Sequence, residues 1–179
     1  RHPGLRAPGD QRRLLPQARD LANKIDDSEF RNRTLAYVDF ELLREAFQKK
    51  NIAEVVRISK TGELTPLQRV WGYTQAARLV TATDSARATD YLQEAATAVR
   101  RIDGSDPDRA RGLMAVATGF ARTERVRAWE IITEAVKVAN SAEGFTGEDG
   151  MLSARLATKN MVVATNSSAE DFDVAGGFT

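Results

Sequence analysis

A nine-residue pattern that occurs twice constrains the fold of this chain most. Residues 87–95 and 127–135 both read R-A-x-x-h-h-x-E-A, where h is a bulky apolar residue, and the two copies are 40 residues apart. Fainter copies, in which an alanine precedes an apolar residue by three positions, begin at Ala18 and Ala53. The first alanines of the four copies, at positions 18, 53, 88 and 128, are then spaced by 35, 35 and 40 residues. Recurrence at such a period is typical of stacked units, each too small to bury its apolar face alone.

Helix start signals alternate with these copies along the chain. Ser28, Thr65 and Asp106 are cap residues 37 and 41 positions apart, and prolines follow the last two. A side-chain acceptor followed by proline is the usual beginning of a helix. Stop signals fall at residues 26–27, 60–62, 84–85 and 103–104, so each unit contains two helices joined by short connections.

These signals predict an all-α fold, a short right-handed α-solenoid of stacked antiparallel helix pairs. Apolar residues recur three and four positions apart through most of the chain, which is the helical period. The first residues contain three prolines and read as a linker. The predicted divisions are a disordered or linker segment at 1–16, the helical-repeat array at 17–143, a loop and small β-hairpin at 144–166, and the truncated start of a further helix at 167–179.

The segment from Leu152 to Ala164 has two interpretations. Apolar residues alternate with period two on either side of Lys159-Asn160, which favours a β-hairpin with its turn at that dipeptide. The β-branched pair Val162-Val163 also favours strand. A single helix through the same residues is the alternative.

The stacked pairs resemble those of the tetratricopeptide-repeat-like α-solenoids over residues 18–143. Trp71-Gly72-Tyr73 has residue types of that signature, bunched within one helix, and the units run 35–41 residues instead of about 34. Helices that carry R-A-x-x-h-h-x-E-A also resemble those of bacterial helical-repeat proteins of the acidobacterial type, a family with no assigned reaction. The resemblance implies a helix-pair solenoid within a larger bacterial protein, and it transfers no functional residue.

Composition argues against several classes of function. The chain has no cysteine and one histidine, His2, so it has no thiolate zinc site, disulfide or histidine-centred catalytic triad. Its 26 basic and 25 acidic residues argue against general nucleic-acid binding. Because it has no phosphate-binding glycine motif and no apolar run that spans a bilayer, we expect no cofactor and no membrane segment.

Three groups of carboxylates are candidate catalytic or metal-binding sites. Glu130 and Glu134 are one helical turn apart, as a general acid and base can be, but neighbouring Arg127 and Lys137 favour a solvated salt-bridged surface. The second group resembles a calcium loop without its closing glutamate, so helix capping is favoured, and the third lies in a glycine-rich surface loop. These two groups are Asp103, Asp106 and Asp108, and Glu143, Glu148 and Asp149.

Arginines crowd the centre of the chain, and they suggest either an RNA-binding or an acidic-peptide groove. Acidic residues lie among them, which favours intramolecular pairs instead. Residues 130–179 carry eight acids against three bases, a charge asymmetry able to orient a partner. The seven arginines are Arg100, Arg101, Arg109, Arg111, Arg122, Arg125 and Arg127.

Trp71 and Trp129 are candidate interface anchors, since tryptophan dominates many interfaces. Both have apolar neighbours on predicted helices, which favours core packing for both. With no catalytic motif, the leading hypothesis is a non-enzymatic protein–protein interaction or scaffold module that binds a protein or peptide. The alternatives are an RNA-binding helical repeat and a ligand-binding or enzymatic groove of carboxylates and arginines.

Overall fold

A computed structural model of the chain describes residues 14–142, 155–158 and 161–164. Its first part is helical, which confirms the all-α prediction for residues 14–142. The array begins slightly before the predicted residue 17, because Pro16 fits the first turn of a helix that starts at Leu15. The seven helices of this part are α1 (Leu15–Ala22), α2 (Ser28–Gln48), α3 (Ile52–Thr61), α4 (Pro66–Val80), α5 (Ser85–Val99), α6 (Pro107–Phe120) and α7 (Arg125–Ser141).

The predicted helix starts are confirmed at α2, α4 and α6. Asp27, one residue before the predicted Ser28, caps α2 by accepting from the backbone N–H of Phe30 at 2.7 Å. Thr65 caps α4 in a reciprocal capping box with Gln68. Asp106 caps α6 by accepting from the backbone of the next turn.

Two helix breaks, between α2 and α3 and between α6 and α7, were not among the predicted stop signals. Lys50 adopts φ 54°, the left-handed region, immediately after α2 ends. The N–H of Asn51 donates to the carbonyl of Ala46, and that of Lys50 donates to Phe47, both at 2.9 Å. These are the two hydrogen bonds of a Schellman motif, which usually has glycine where Lys50 stands.

The helices pack as successive pairs. Helix α2 lies against α3, α4 against α5, and α6 against α7. Helix α4 also contacts both α2 and α6, while α5 and α7 approach each other less closely. One apolar core runs through the pairs, from Phe40 in α2 to Ala135 in α7.

The connections within the last two pairs repeat the same backbone geometry. Between α4 and α5, the N–H of Asp84 donates to the carbonyl of Val80 at 2.8 Å. Forty residues later, the N–H of Glu124 donates to Phe120 at 2.6 Å. Asp84 has φ and ψ of −150° and 86°, and Glu124 has −139° and 88°.

Contacts between pairs also repeat at 40 residues. A Cβ atom built on Gly112 in α6 would lie 2.9 Å from Cγ2 of Val99 in α5. A Cβ atom on Gly72 in α4 would overlap the hydroxyl of Ser59 in α3. Since both members of each contact are 40 residues from their counterparts, α4 approaches α3 as α6 approaches α5.

The 35-residue spacing that aligned Ala53 with Ala88 is wrong. Ala53 is exposed whereas Ala88 is fully buried. Helix α3 is short and matches the second half of α5, so the residue equivalent to Ala95 and Ala135 is Val55, and all three are fully buried.

Two four-residue strands, β1 (Arg155–Thr158) and β2 (Met161–Ala164), pair antiparallel with Thr158 opposite Met161. The turn at Lys159-Asn160 lies outside the described residues, so the hairpin as a folded unit stays a prediction. The linker before residue 14, the loop at 144–150 and the helix start at 167–179 also lie outside them. Within the described residues, no helix has the length and apolarity required to cross a membrane.

Candidate interaction surface

The first helix of each pair carries an arginine that binds the connection preceding that helix. These arginines lie in the first turn of α2, α4 and α6, three or four residues after the cap. Their side chains donate to a backbone carbonyl in the connection that follows the preceding helix. The three bonds are Arg31 to Ile25 at 2.8 Å, Arg69 to Gly62 at 2.8 Å and Arg109 to Ile102 at 3.1 Å.

This arginine clamp assigns Arg109 a structural role instead of a place in a binding groove. The clamp was not predicted, although an arginine three or four residues after each of Asp27, Thr65 and Asp106 was a readable signal. Arg69 makes the most extensive clamp, since it also donates to the carbonyls of Ser59 and Lys60 at the end of α3.

Three of the other central arginines line one cavity of about 740 Å³ beside α7. Arg100, at the end of α5, donates to the carboxylate of Glu134 at 3.1 Å. The guanidinium of Arg127 lies over the ring of Phe120, 4.8 Å from its centroid. The lining residues are Arg100, Glu124, Arg125, Val126, Arg127, Glu130, Ile131 and Glu134.

The cavity brings Glu130 and Glu134 close to arginines, but within the described residues only Glu134 forms an ion pair. The partner of Glu134 is Arg100 in the preceding pair, however, and not the predicted Lys137. Three arginines face three glutamates, so the charges of the lining cancel. Such a lining does not attract a polyanion such as an RNA backbone, which needs an excess of positive charge.

The three aspartates between α5 and α6 each have their own partner. Asp103 accepts from the hydroxyl and backbone N–H of Ser105 at 2.6 and 2.8 Å, and these bonds lower the pKa of Asp103. Asp106 caps α6, and Asp108 pairs with Arg111 at 3.0 Å. No group of three ligating side chains suited to a metal occurs in the described residues.

The third carboxylate group, Glu143, Glu148 and Asp149, lies outside the described residues.

A buried carboxylate that was not predicted from the sequence lies in α2. Asp39 is buried, accepts from Nε of Arg19 at 2.7 Å, and accepts from the backbone N–H of Glu63 at 2.8 Å. The hydrogen bond to Asp39 raises the pKa of Arg19. Because both oxygens have partners, Asp39 ties α1 and the α3–α4 connection to α2. Its signal was a charged residue between Val38 and Phe40 in an apolar stretch.

The two tryptophans differ in burial. Trp71 is 1% exposed and packs edge-on against the rings of Phe40 and Phe47, at 5.4 and 5.6 Å between centroids, which confirms its predicted core position. Trp129 is 68% exposed, so the core prediction for it is wrong. The reason is its place on α7, the last helix of the described array, on the side turned away from α6.

Trp129 belongs to an apolar surface that we call the outer face of α7, made of Val126, Trp129 and Val136. Val126 is 76% exposed and Val136 is 44% exposed. These residues are three and seven positions apart along the helix, so they share one side of it.

The corresponding side of α5 is not fully covered either, since Ala86 is exposed and Thr89 is half-buried. Helix α6 covers the adjacent side of α5. Leu92 is fully buried against Gly119, and Val99 against Gly112, both in α6. Ile132, the counterpart of Leu92 in α7, is only partly buried. No described helix lies on α7 in the position that α6 has on α5.

Large exposed apolar residues in the described part of the chain occur at its two ends. Leu14 and Leu21 lie at α1, and the other three form the outer face of α7. Terminal repeats of a soluble solenoid usually have a polar outer side. The outer face of α7 is therefore the strongest candidate for a binding surface.

No protein-family model, no curated protein and no solved structure matches the chain. The repeated contacts and the outer face of α7 are thus the observations from which its function is inferred.

Proposed function

We propose that this chain is a non-enzymatic protein–protein interaction module of a larger bacterial protein, and that a protein partner binds the outer face of α7. The observation that carries the proposal is Trp129, an aromatic residue that is 68% exposed where the equivalent position of α5 has the smaller, half-buried Thr89. An exposed tryptophan flanked by two valines gains free energy when a partner removes it from water, at about 25 cal/mol per Å² of apolar surface. Tryptophan is also among the commonest anchors of interfaces.

The charges beside this surface favour a protein over a nucleic acid. The lining of the cavity next to α7 has as many glutamates as arginines, and a protein surface of mixed charge can complement such a lining. A polyanion would be repelled by the three glutamates of this lining as much as it is attracted by its three arginines.

The architectural part of the proposal is a right-handed solenoid of the tetratricopeptide-repeat-like class, followed by a β-hairpin. It is supported by three features that recur at about 40 residues: the α4–α5 and α6–α7 turns, the Gly72 and Gly112 contacts, and the arginine clamps. The antiparallel pairing of β1 with β2 supports the hairpin. An experimental structure in which one rotation maps each pair onto the next would establish the class.

The binding role is tested by cross-linking in a lysate of the source organism with Trp129→Ser and Leu21→Ser variants of the chain. Leu21→Ser is the matched control, because Leu21 is 65% exposed at the opposite end of the array. We expect a protein that is recovered with the wild type and with Leu21→Ser, and lost with Trp129→Ser. Circular dichroism and urea unfolding show whether both variants fold. Recovery that is equal for all three chains would contradict the proposal.

A further inference from the structure

We propose that the occupant of the outer face of α7 is α7 of a second copy of this chain, packed antiparallel about a two-fold axis. This inference rests on the proposed function, since it names the partner of the same surface. A closed two-fold contact uses the same residues on both copies, and therefore needs a surface complementary to itself.

The apolar residues of the outer face have this self-complementary order. With the axis midway between Ile132 and Thr133, Trp129 of one copy lies opposite Val136 of the other, and the contact occurs twice. In both of these contacts a large side chain meets a smaller one, as close packing requires.

Charged residues beside the outer face fit the same arrangement. Glu130 follows Trp129 and Lys137 follows Val136, so the two flank one edge of the surface. They are seven residues apart, about 10 Å along the helix, and neither forms an ion pair with another described residue. In the antiparallel dimer, Glu130 of one copy and Lys137 of the other are offset by only about 3 Å along the helix axis. A parallel pair would instead place Glu130 opposite Glu130.

The exposure of the equivalent residues of α5 argues against a further repeat unit as the occupant. Where α7 has Val126, α5 has Ala86, which is exposed although α6 packs on that helix. Thr89, the counterpart of Trp129, is only half-buried. A unit stacked on α7 as α6 is stacked on α5 would therefore leave much of the outer face uncovered.

The other exposed apolar end of the array is too short to cover the outer face. Helix α1 has eight residues, about 12 Å, whereas Val126 and Val136 are about 15 Å apart along α7. Stacking α7 on α1 of the next copy would also continue without closing. An interface of one helix per copy is small, so we expect a reversible dimer that forms as concentration rises.

Sedimentation velocity of the full chain over a concentration series tests the dimer. We expect a monomer–dimer equilibrium that Trp129→Ser weakens by about 30-fold or more, the effect of losing an aromatic anchor, and that Leu21→Ser leaves unchanged. Variants with Glu130→Lys or Lys137→Glu alone should dimerise weakly, because each brings like charges together. An equimolar mixture of these two variants should form a heterodimer. One copy then carries a lysine at both positions and the other a glutamate at both, so that opposite charges meet in each contact.

Three outcomes would overturn the inference. A monomer at every concentration excludes the second copy as occupant, and the proposed function then depends on whether the Trp129-dependent partner is still captured from lysate. Assemblies larger than a dimer that Leu21→Ser dissolves indicate stacking through α1. A dimer in which the mixed charge variants pair no better than either variant alone excludes the antiparallel geometry.

Discussion

Helices α5 and α7 carry the same nine-residue pattern and follow turns of the same geometry, yet one is covered on two sides and the other on one. In both helices the alanines of the pattern are buried, so the pattern marks a core side of each helix. Leu92 and Val99 lie three and four positions from Ala95, and thus on a neighbouring side of α5. That side is covered by α6, through Gly119 and Gly112, which follow Leu92 and Val99 by 27 and 13 residues.

The largest expected difference is between the two tryptophans. Trp71→Ala leaves a cavity among aromatic side chains and should cost about 3–5 kcal/mol of unfolding free energy. Trp129→Ala removes an exposed ring, and in dilute protein should change that free energy by about 0.5 kcal/mol or less. Urea unfolding at low protein concentration measures both. Equal losses would mean that the outer face of α7 is covered within a single chain.

The next comparison is Leu92→Ala in α5 with Ile132→Ala at the matching position of α7. Leu92 is fully buried against Gly119, so Leu92→Ala should lower the free energy of unfolding by about 3 kcal/mol. Ile132 has no described helix on its outer side, so Ile132→Ala should lower the free energy of unfolding by about 1 kcal/mol. Urea unfolding of the two variants gives the values, and a larger loss for Ile132→Ala would refute the assignment of α7 as the open end.

Gly72→Ala and Gly112→Ala test whether contacts between pairs repeat. Each new methyl group meets a buried neighbour, so each substitution should destabilise the fold by about 1–3 kcal/mol. Gly104→Ala is the control, since its Cβ would meet only Nη1 of Arg109, at 3.8 Å. Thermal unfolding compares the three variants, and a harmless substitution at Gly72 or Gly112 would show that the 40-residue equivalence fails there.

The arginine clamps give the smallest expected effects. Arg69→Met frees three carbonyls and should cost about 1–2 kcal/mol, whereas Arg109→Met frees one and should cost about 1 kcal/mol or less. Nε of Arg109 is buried without a partner among the described residues, which further lowers the net contribution of that clamp to the free energy of unfolding. Urea unfolding that ranks Arg109→Met as the more damaging would contradict this order. The exposed Arg101→Met serves as the control.

The sequence predicted the features that depend on local chemistry. Thr65, Pro66 and Gln68 contain a complete capping box, and the structure begins α4 there. The break at Lys50 was missed because the left-handed residue of its Schellman motif is a lysine, which carries no such signal. That break also shortens α3, which explains why the 35-residue spacing failed.

The candidate surface was harder to predict from the sequence than the helix boundaries. Trp71 and Trp129 have similar neighbours in sequence, and only the place of each helix in the stack separates the buried ring from the exposed one. The two-fold arrangement proposed for α7 depends on which side of the helix is open, and that side is fixed by packing between pairs.

The most direct test of the open outer face is acrylamide quenching of Trp129 fluorescence, obtained as the difference between the wild type and Trp129→Phe, which retains Trp71 alone. In dilute protein we predict that this difference signal is quenched as freely as tryptophan in a short peptide, while Trp71 stays protected. As concentration rises, the Trp129 signal should become protected. A Trp129 signal as shielded as that of Trp71 in the dilute monomer would contradict the account.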